Sequence, residues 1–172
     1  ILARQGRRLS NIDVYDLVCK IGEIVVSGGV RRSALISLSD LDDQEMRAAK
    51  TGAFYIKEPQ RQMANNSAAY NAKPPASQFI EEWLALAKSG TGERGIFNRG
   101  GLMTQIPERR KKNFEQHLAT AGTNPCGEVL LRSKEFCNLT EVVARAEDTE
   151  DSLLRKVRLA AVLGTYQSTL TD

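Results

Sequence analysis

The amino-acid sequence predicts an α/β fold built on parallel strands. Stretches with apolar residues at helical spacing alternate with short apolar runs bounded by Gly, Pro and polar clusters. This alternation favours parallel pairing, because two parallel strands need a crossover and a helix is the usual one. The composition agrees: 172 residues with 41% apolar and 26% charged side chains suffice for one soluble domain with its own core.

Asn11 to Ser27 predicts the first helix, with Ser10 or Asn11 as N-cap and Ile12, Tyr15, Val18, Cys19 and Ile21 facing inward. Gly28-Gly29 ends it. Val30 to Ser39 reads as a buried strand opening on Arg31 and Arg32, which are either surface charge or supports for a nucleotide and its loop. Asp40 caps a short helix to Lys50, closed by Gly52. Ala64 to Asn71 predicts another strand, and Pro74-Pro75 breaks the chain. Ser77 then caps an amphipathic helix whose inner stripe is Phe79, Ile80, Trp83, Leu84, Leu86 and Ala87, stopped by Gly90. Arg94 to Arg99 is a short strand. Gly100 to Gly122 is polar and contains the run Arg109-Arg110-Lys111-Lys112, a solvated loop face or a phosphate contact. Val129 to Leu131 and Phe136 to Val143 are strand-like. From Asp151 a helix runs with Leu153, Leu154, Val157, Ala160 and Ala161 inward. There is no initiator Met, and Leu163 to Asp172 stops inside an apolar-periodic stretch, so a piece of a longer protein is expected.

A net charge of +3 is too small to argue for nucleic acid. No apolar run approaches about 18 residues, so no membrane span is expected. The three cysteines, Cys19, Cys126 and Cys137, form no CxxC pair and follow no secretory signal, which favours a reducing, cytoplasmic setting over a disulfide framework. With the single histidine, His117, they lack the close ligand pairs of a zinc site. His117 also sits in the polar stretch, which weakens a cysteine hydrolase, whose thiolate wants a neighbouring base.

The chemistry concentrates in Thr123-Asn124-Pro125-Cys126-Gly127-Glu128. Pro125 pushes Asn124 toward extended geometry. In an extended segment, residues two apart share a face, so Asn124, Cys126 and Glu128 are expected to point into one cavity. An amide, a thiol and a carboxylate together suit chemistry on a polyol: hydrogen bonds hold the substrate, the carboxylate takes a hydroxyl proton, and the thiol reacts. Gly127 lets a ligand approach the backbone. The alternative for Cys126 is a small buried hydrophobe, and for Cys137 a packed strand residue. Cys137 follows Cys126 by 11 residues, a span of up to roughly 36 Å when extended. A turn near Arg132 to Lys134 is needed to present Cys126 at a hairpin tip with Cys137 near it.

Thr123 to Glu128 followed by Phe136 to Val143 resembles the catalytic segment of the adenosylcobalamin-dependent (class II) ribonucleotide reductases, in particular the monomeric triphosphate-reducing type. Ser27 to Ala34, Met63-Ala64-Asn65-Asn66-Ser67, Gly95-Ile96-Phe97-Asn98-Arg99, Lys156-Val157-Arg158 and Gly164 to Thr171 match in the same order. The resemblance implies that residues 1–172 are part of a ten-stranded α/β barrel with the catalytic cysteine on a central loop. It further implies Cys126 as the radical thiol, Glu128 as base at the ribose 3′-hydroxyl, and Asn124, Pro125 and Gly127 as substrate contacts. Cys137 becomes one of two reducing thiols, its partner lying upstream of this chain. The implied cofactor is adenosylcobalamin. The implied partners are a ribonucleotide, a deoxynucleotide effector and thioredoxin or a similar dithiol, with a monomer or dimer at full length. The rivals are another reductase class, a diphosphate substrate, or a non-catalytic nucleotide-binding domain with structural cysteines.

Overall fold

A computed structural model describes residues 4–25 and 34–170. They fall into two units, Ile1–Ser133 and Lys134–Asp172.

In the first unit α1 spans Asn11–Ile24, one turn shorter than predicted. Ser10 and Asp13 form a reciprocal capping box at its start, satisfying two amides that the first turn leaves unpaired. Gly28-Gly29 and the start of the predicted strand, with Arg31 and Arg32, lie outside the described residues. The sheet is parallel, as the alternation predicts. It contains β1 (Leu35–Ser39), β2 (Ala64–Ala69) and β3 (Gly95–Phe97) in the order β1-β2-β3. Leu35 pairs with Ala64, and Ser67 with Gly95.

Between β1 and β2 run α2 (Gln44–Ala48) and α3 (Phe54–Lys57). Asp43, rather than the expected Asp40, caps α2, accepting the Met46 amide at 2.9 Å. Tyr15, Cys19, Met46, Ala49 and Ala64 form a first core against one face of the sheet. Leu102, Ile106, Phe114 and Ala121 form a second core, with Phe97 and Leu130 packed on it. Leu35 and Phe97 are side chains of opposite sheet faces, because Ala64 and Ala69 face opposite ways along β2. The two cores therefore flank the sheet.

Two further expectations fail in the helical parts of this unit. The stretch Gly100–Gly122 is not a polar loop. It contains α5 (Leu102–Gln105) and α6 (Glu108–Glu115), and Phe114 is 1% exposed. Isolated apolar residues among many charges hid the periodicity. The basic run lies on α6: Arg110 stacks over the Phe114 ring at 4.7 Å, and Lys111 pairs with Glu108. The second failure is α4 (Ala76–Ser89), which starts after Pro75 with no side-chain cap. Phe79, Ile80, Trp83 and Leu84 are exposed, and the buried residue is Glu82. Gln78, Ala85, Leu86 and Ser89 flank it. The inward face is thus turned well away from the apolar stripe. The cause is ionic. Glu82 receives Arg94 at 2.8 Å and also pairs with Arg47, while Arg94 reaches Ser39 Oγ at 2.7 Å and the Asp40 carbonyl at 2.9 Å. Buried guanidinium groups need a carboxylate, and this need outweighs burial of the stripe.

The second unit holds α7 (Glu150–Ser168), capped by Thr149 and Ser152. Leu153 and Ala160 are half-buried, but Leu154, Val157 and Ala161, expected inward, are exposed. Phe136–Val143 is not a strand. It runs along α7 instead: Asn138 donates to the Gly164 carbonyl, Thr140 to Ala160 and Lys156 to Val143, at 3.0, 3.2 and 3.2 Å. Two of these bonds come from side chains of the segment and one reaches its backbone, and together they tie it to the helix.

Candidate active site

The motif sits on a hairpin of the first unit. Strands β4 (Gly122–Thr123) and β5 (Leu130–Leu131) pair antiparallel, and Asn124 to Val129 make the loop. The hexapeptide is not extended. Pro125 occupies the second position of a β-turn, where its fixed φ is favoured, and the Gly127 amide donates to the Asn124 carbonyl at 3.0 Å. Gly127 has φ +89°, a left-handed conformation suited to glycine.

Asn124 organises this loop. It is 6% exposed. Its Oδ1 accepts the Gly127 and Val129 amides at 3.2 and 3.0 Å, and its Nδ2 donates to Glu128 Oε1 at 2.7 Å. The fold-back of the turn, rather than an alternating face, therefore brings Asn124 and Glu128 together. Cys126 and Glu128 are both exposed on the loop, with Pro125 half-buried and Asn124 buried; the turn brings Glu128 to Asn124 but makes no hydrogen bond between either of them and the Cys126 thiol.

The hairpin is anchored from several sides. Ala121, fully buried, gives its carbonyl to Arg99 Nε at 2.8 Å. Arg110 reaches the Leu130 carbonyl at 3.4 Å. A Cβ on Gly122 would come within 3.2 Å of Leu38, so the hairpin lies close over the sheet. Asn65, on β2, donates to the Pro125 carbonyl at 3.1 Å. In the sequence Asn65 stands within Met63-Ala64-Asn65-Asn66-Ser67, next to a second asparagine. No local pattern singles it out, because Asn66 beside it is equally polar; only the structure shows Asn65 exposed between buried Ala64 and Asn66.

Cys137 belongs to the second unit, half-buried in the irregular segment against α7. Cys19 is fully buried in the first core, and that burial pushes its thiol up. Burial likewise raises the Tyr15 hydroxyl beside it. Among the described residues, no group of three or more His, Cys, Asp or Glu is placed to hold a metal ion, and no helix is long and apolar enough to cross a membrane.

Over 148 residues, 81% of its length, the chain is 38% identical to the adenosylcobalamin-dependent ribonucleoside-triphosphate reductase of Lacticaseibacillus paracasei. It is 34% identical over 152 residues to the enzyme of the same name from Lactobacillus acidophilus, and 33% over 145 residues to that of Lactobacillus leichmannii. This chain is related to one segment of those reductases. It spans 18% of the length of each of these three relatives. The relationship agrees with the resemblance that the motifs carry, and it covers 81–83% of the chain in these comparisons. No protein-family model and no solved structure matches.

Proposed function

We propose that this chain carries the radical thiol of an adenosylcobalamin-dependent ribonucleoside-triphosphate reductase, and that Cys126 is that thiol. One observation carries the reading: the β4–β5 hairpin holds Cys126 exposed on its loop, and the Glu128 carboxylate of the same loop is pinned to Asn124. The relationship to reductases of that name supports it. On this reading the three parallel strands belong to the ten-stranded barrel, residues 1–172 are part of the catalytic domain, and the hairpin is its central loop. The product is a 2′-deoxyribonucleotide for DNA synthesis.

The residues fit the approach of the cofactor's reactive end. Cys126 is exposed, and a Cβ built on Gly127 meets nothing within 4 Å. The chemistry adenosylcobalamin supplies when bound is a carbon-centred radical able to take hydrogen from a thiol. Cys126, as a thiyl, then removes the ribose 3′ hydrogen atom, so that an S–H bond forms as the C–H bond breaks. Glu128 accepts the 3′-hydroxyl proton. The 2′-hydroxyl leaves as water, taking a proton from the reducing thiols. Cys137 and a second thiol, which the resemblance places upstream of residue 1, give two electrons and become a disulfide, one of their hydrogens going to C2′. Cys126 then returns its hydrogen atom to C3′ and Glu128 its proton to the 3′-oxygen, which restores the thiyl. Thioredoxin or a similar dithiol restores them, and a deoxynucleotide effector sets the preference, all in the cytoplasm. Asn124 has a second Nδ2 hydrogen for the substrate, and the backbone at Pro125 and Gly127 lines the approach.

The test uses the full-length protein with ribonucleoside triphosphate, adenosylcobalamin and a dithiol. Cys126→Ala should abolish both 3′-hydrogen abstraction and deoxynucleotide formation. Cys137→Ser should retain abstraction and lose product. Substantial turnover in Cys126→Ala would overturn the assignment.

A further inference from the structure

We infer that Asn65 is a positioning residue for Cys126: its side-chain amide holds the Pro125 carbonyl and so fixes the peptide that presents the thiol. The inference deepens the reading of Cys126 as the working thiol and rests on it.

Every bond that closes the turn within the hairpin is made by Asn124, through its carbonyl to Gly127 and its side chain to Gly127, Val129 and Glu128. None of these holds the central peptide, Pro125–Cys126. In a β-turn that peptide can turn over while the closing bond persists, which is the difference between types I and II, and proline at the second position suits both. Turning it over reverses the Pro125 carbonyl, gives Cys126 a positive φ and brings that carbonyl against the Cys126 Cβ, which alters the surroundings of the thiol. Cys126 has negative φ here, since Lys134 is the only non-glycine residue with positive φ among those described. The Asn65 bond to the Pro125 carbonyl, at 3.1 Å, favours this orientation and ties the hairpin tip to the central strand.

The amide of Asn65 is itself held in place. On one side of it, the Ala64 carbonyl accepts Lys50 Nζ; on the other, the Asn66 amide donates to the Glu93 carboxylate. Lys50 and Glu93 pair with each other at 3.1 Å. A largely buried ion pair thus clamps the backbone on both sides of Asn65, where β3 has not yet begun to pair with β2.

The test is hydrogen–deuterium exchange on the full-length protein, read on peptides covering Asn124–Leu130 and, as internal control, Ala64–Ala69. Asn65→Asp keeps the shape and removes the donor. Asn65→Ala removes the donor without adding charge. Both should speed exchange at the turn about fivefold, the effect of losing one ordinary hydrogen bond, and leave the β2 peptide unchanged. Asn65→Gln, which keeps an amide donor, should stay within about twofold of the parent. In turnover, kcat should fall with exchange while KM stays. Exchange at the turn like the parent's, or equal acceleration in both peptides, would overturn the inference. Retained turnover in Cys126→Ala would sink the functional reading and leave the exchange result standing, so the two failures are distinguishable.

Discussion

Asn124 is buried while Cys126, two residues on, is exposed, and a single turn accounts for both. Asn124 spends its carbonyl oxygen and one N–H on the loop itself, so the loop is organised before any ligand arrives. The three thiols occupy different settings: Cys126 exposed, Cys137 half-buried, Cys19 fully buried with its thiol pushed up. Since the thiolate is the nucleophile, iodoacetamide should label Cys126 first, Cys137 next and Cys19 last in the native protein. Peptide mass spectrometry checks the order, and early labelling of Cys19 would contradict the first core as described.

At the scale of elements, ionic contacts decide placement where apolar pattern does not. Glu82 on α4 faces Arg94 and Arg47, with the Glu82 and Arg94 side chains 5% and 2% exposed. Glu82→Gln would leave buried guanidinium charge uncompensated, and should lower unfolding free energy by about 3–5 kcal/mol in denaturant titration. A loss below about 1 kcal/mol would show the pair to be solvated. At α7, Lys156, Ser152 and the Arg145 amide all bond Asp148, the Lys156 contact at 2.5 Å. They hold its carboxyl down at about 2, against an ordinary 3.8. A depressed carboxyl contributes stability that is present above its unfolded value and lost as pH falls through the folded one. The start of α7 should therefore loosen between about pH 4 and pH 2. Asp148→Asn should abolish that step in amide exchange of residues 145–156.

For the whole molecule, the exposed apolar residues are the outstanding feature. Phe79, Ile80, Trp83 and Leu84 line one side of α4, and Leu154, Val157, Leu159 and Leu163 are exposed on α7. Exposed apolar surface of this kind favours association in water, and among the described residues β1 and β3 are the open edges of the short parallel sheet. The 172-residue chain expressed by itself should therefore aggregate on size-exclusion chromatography. It should also form no deoxynucleotide with adenosylcobalamin, dithiol and ribonucleoside triphosphate. Multiple turnovers would show that both reducing thiols are already present in it.

Local chemistry made much of this legible in the sequence. Ser10 as a cap, Gly90 as a stop, and the parallel strands at Ala64 and Gly95 all follow from neighbours along the chain. The candidate site was readable as residues but not as geometry, because an extended segment and a turn place the same side chains differently. Tertiary structure alone decided what pairs across distance. Glu82 turns inward because Arg94 and Arg47 come from other elements. Phe114 is buried because Ala121 and Leu130 close over it. Asn65 meets Pro125 across 60 residues. Periodicity reports only how apolar residues lie along one helix or strand. The partner of a buried charge, or the strand beneath a turn, is set by chain crossings that no local pattern contains.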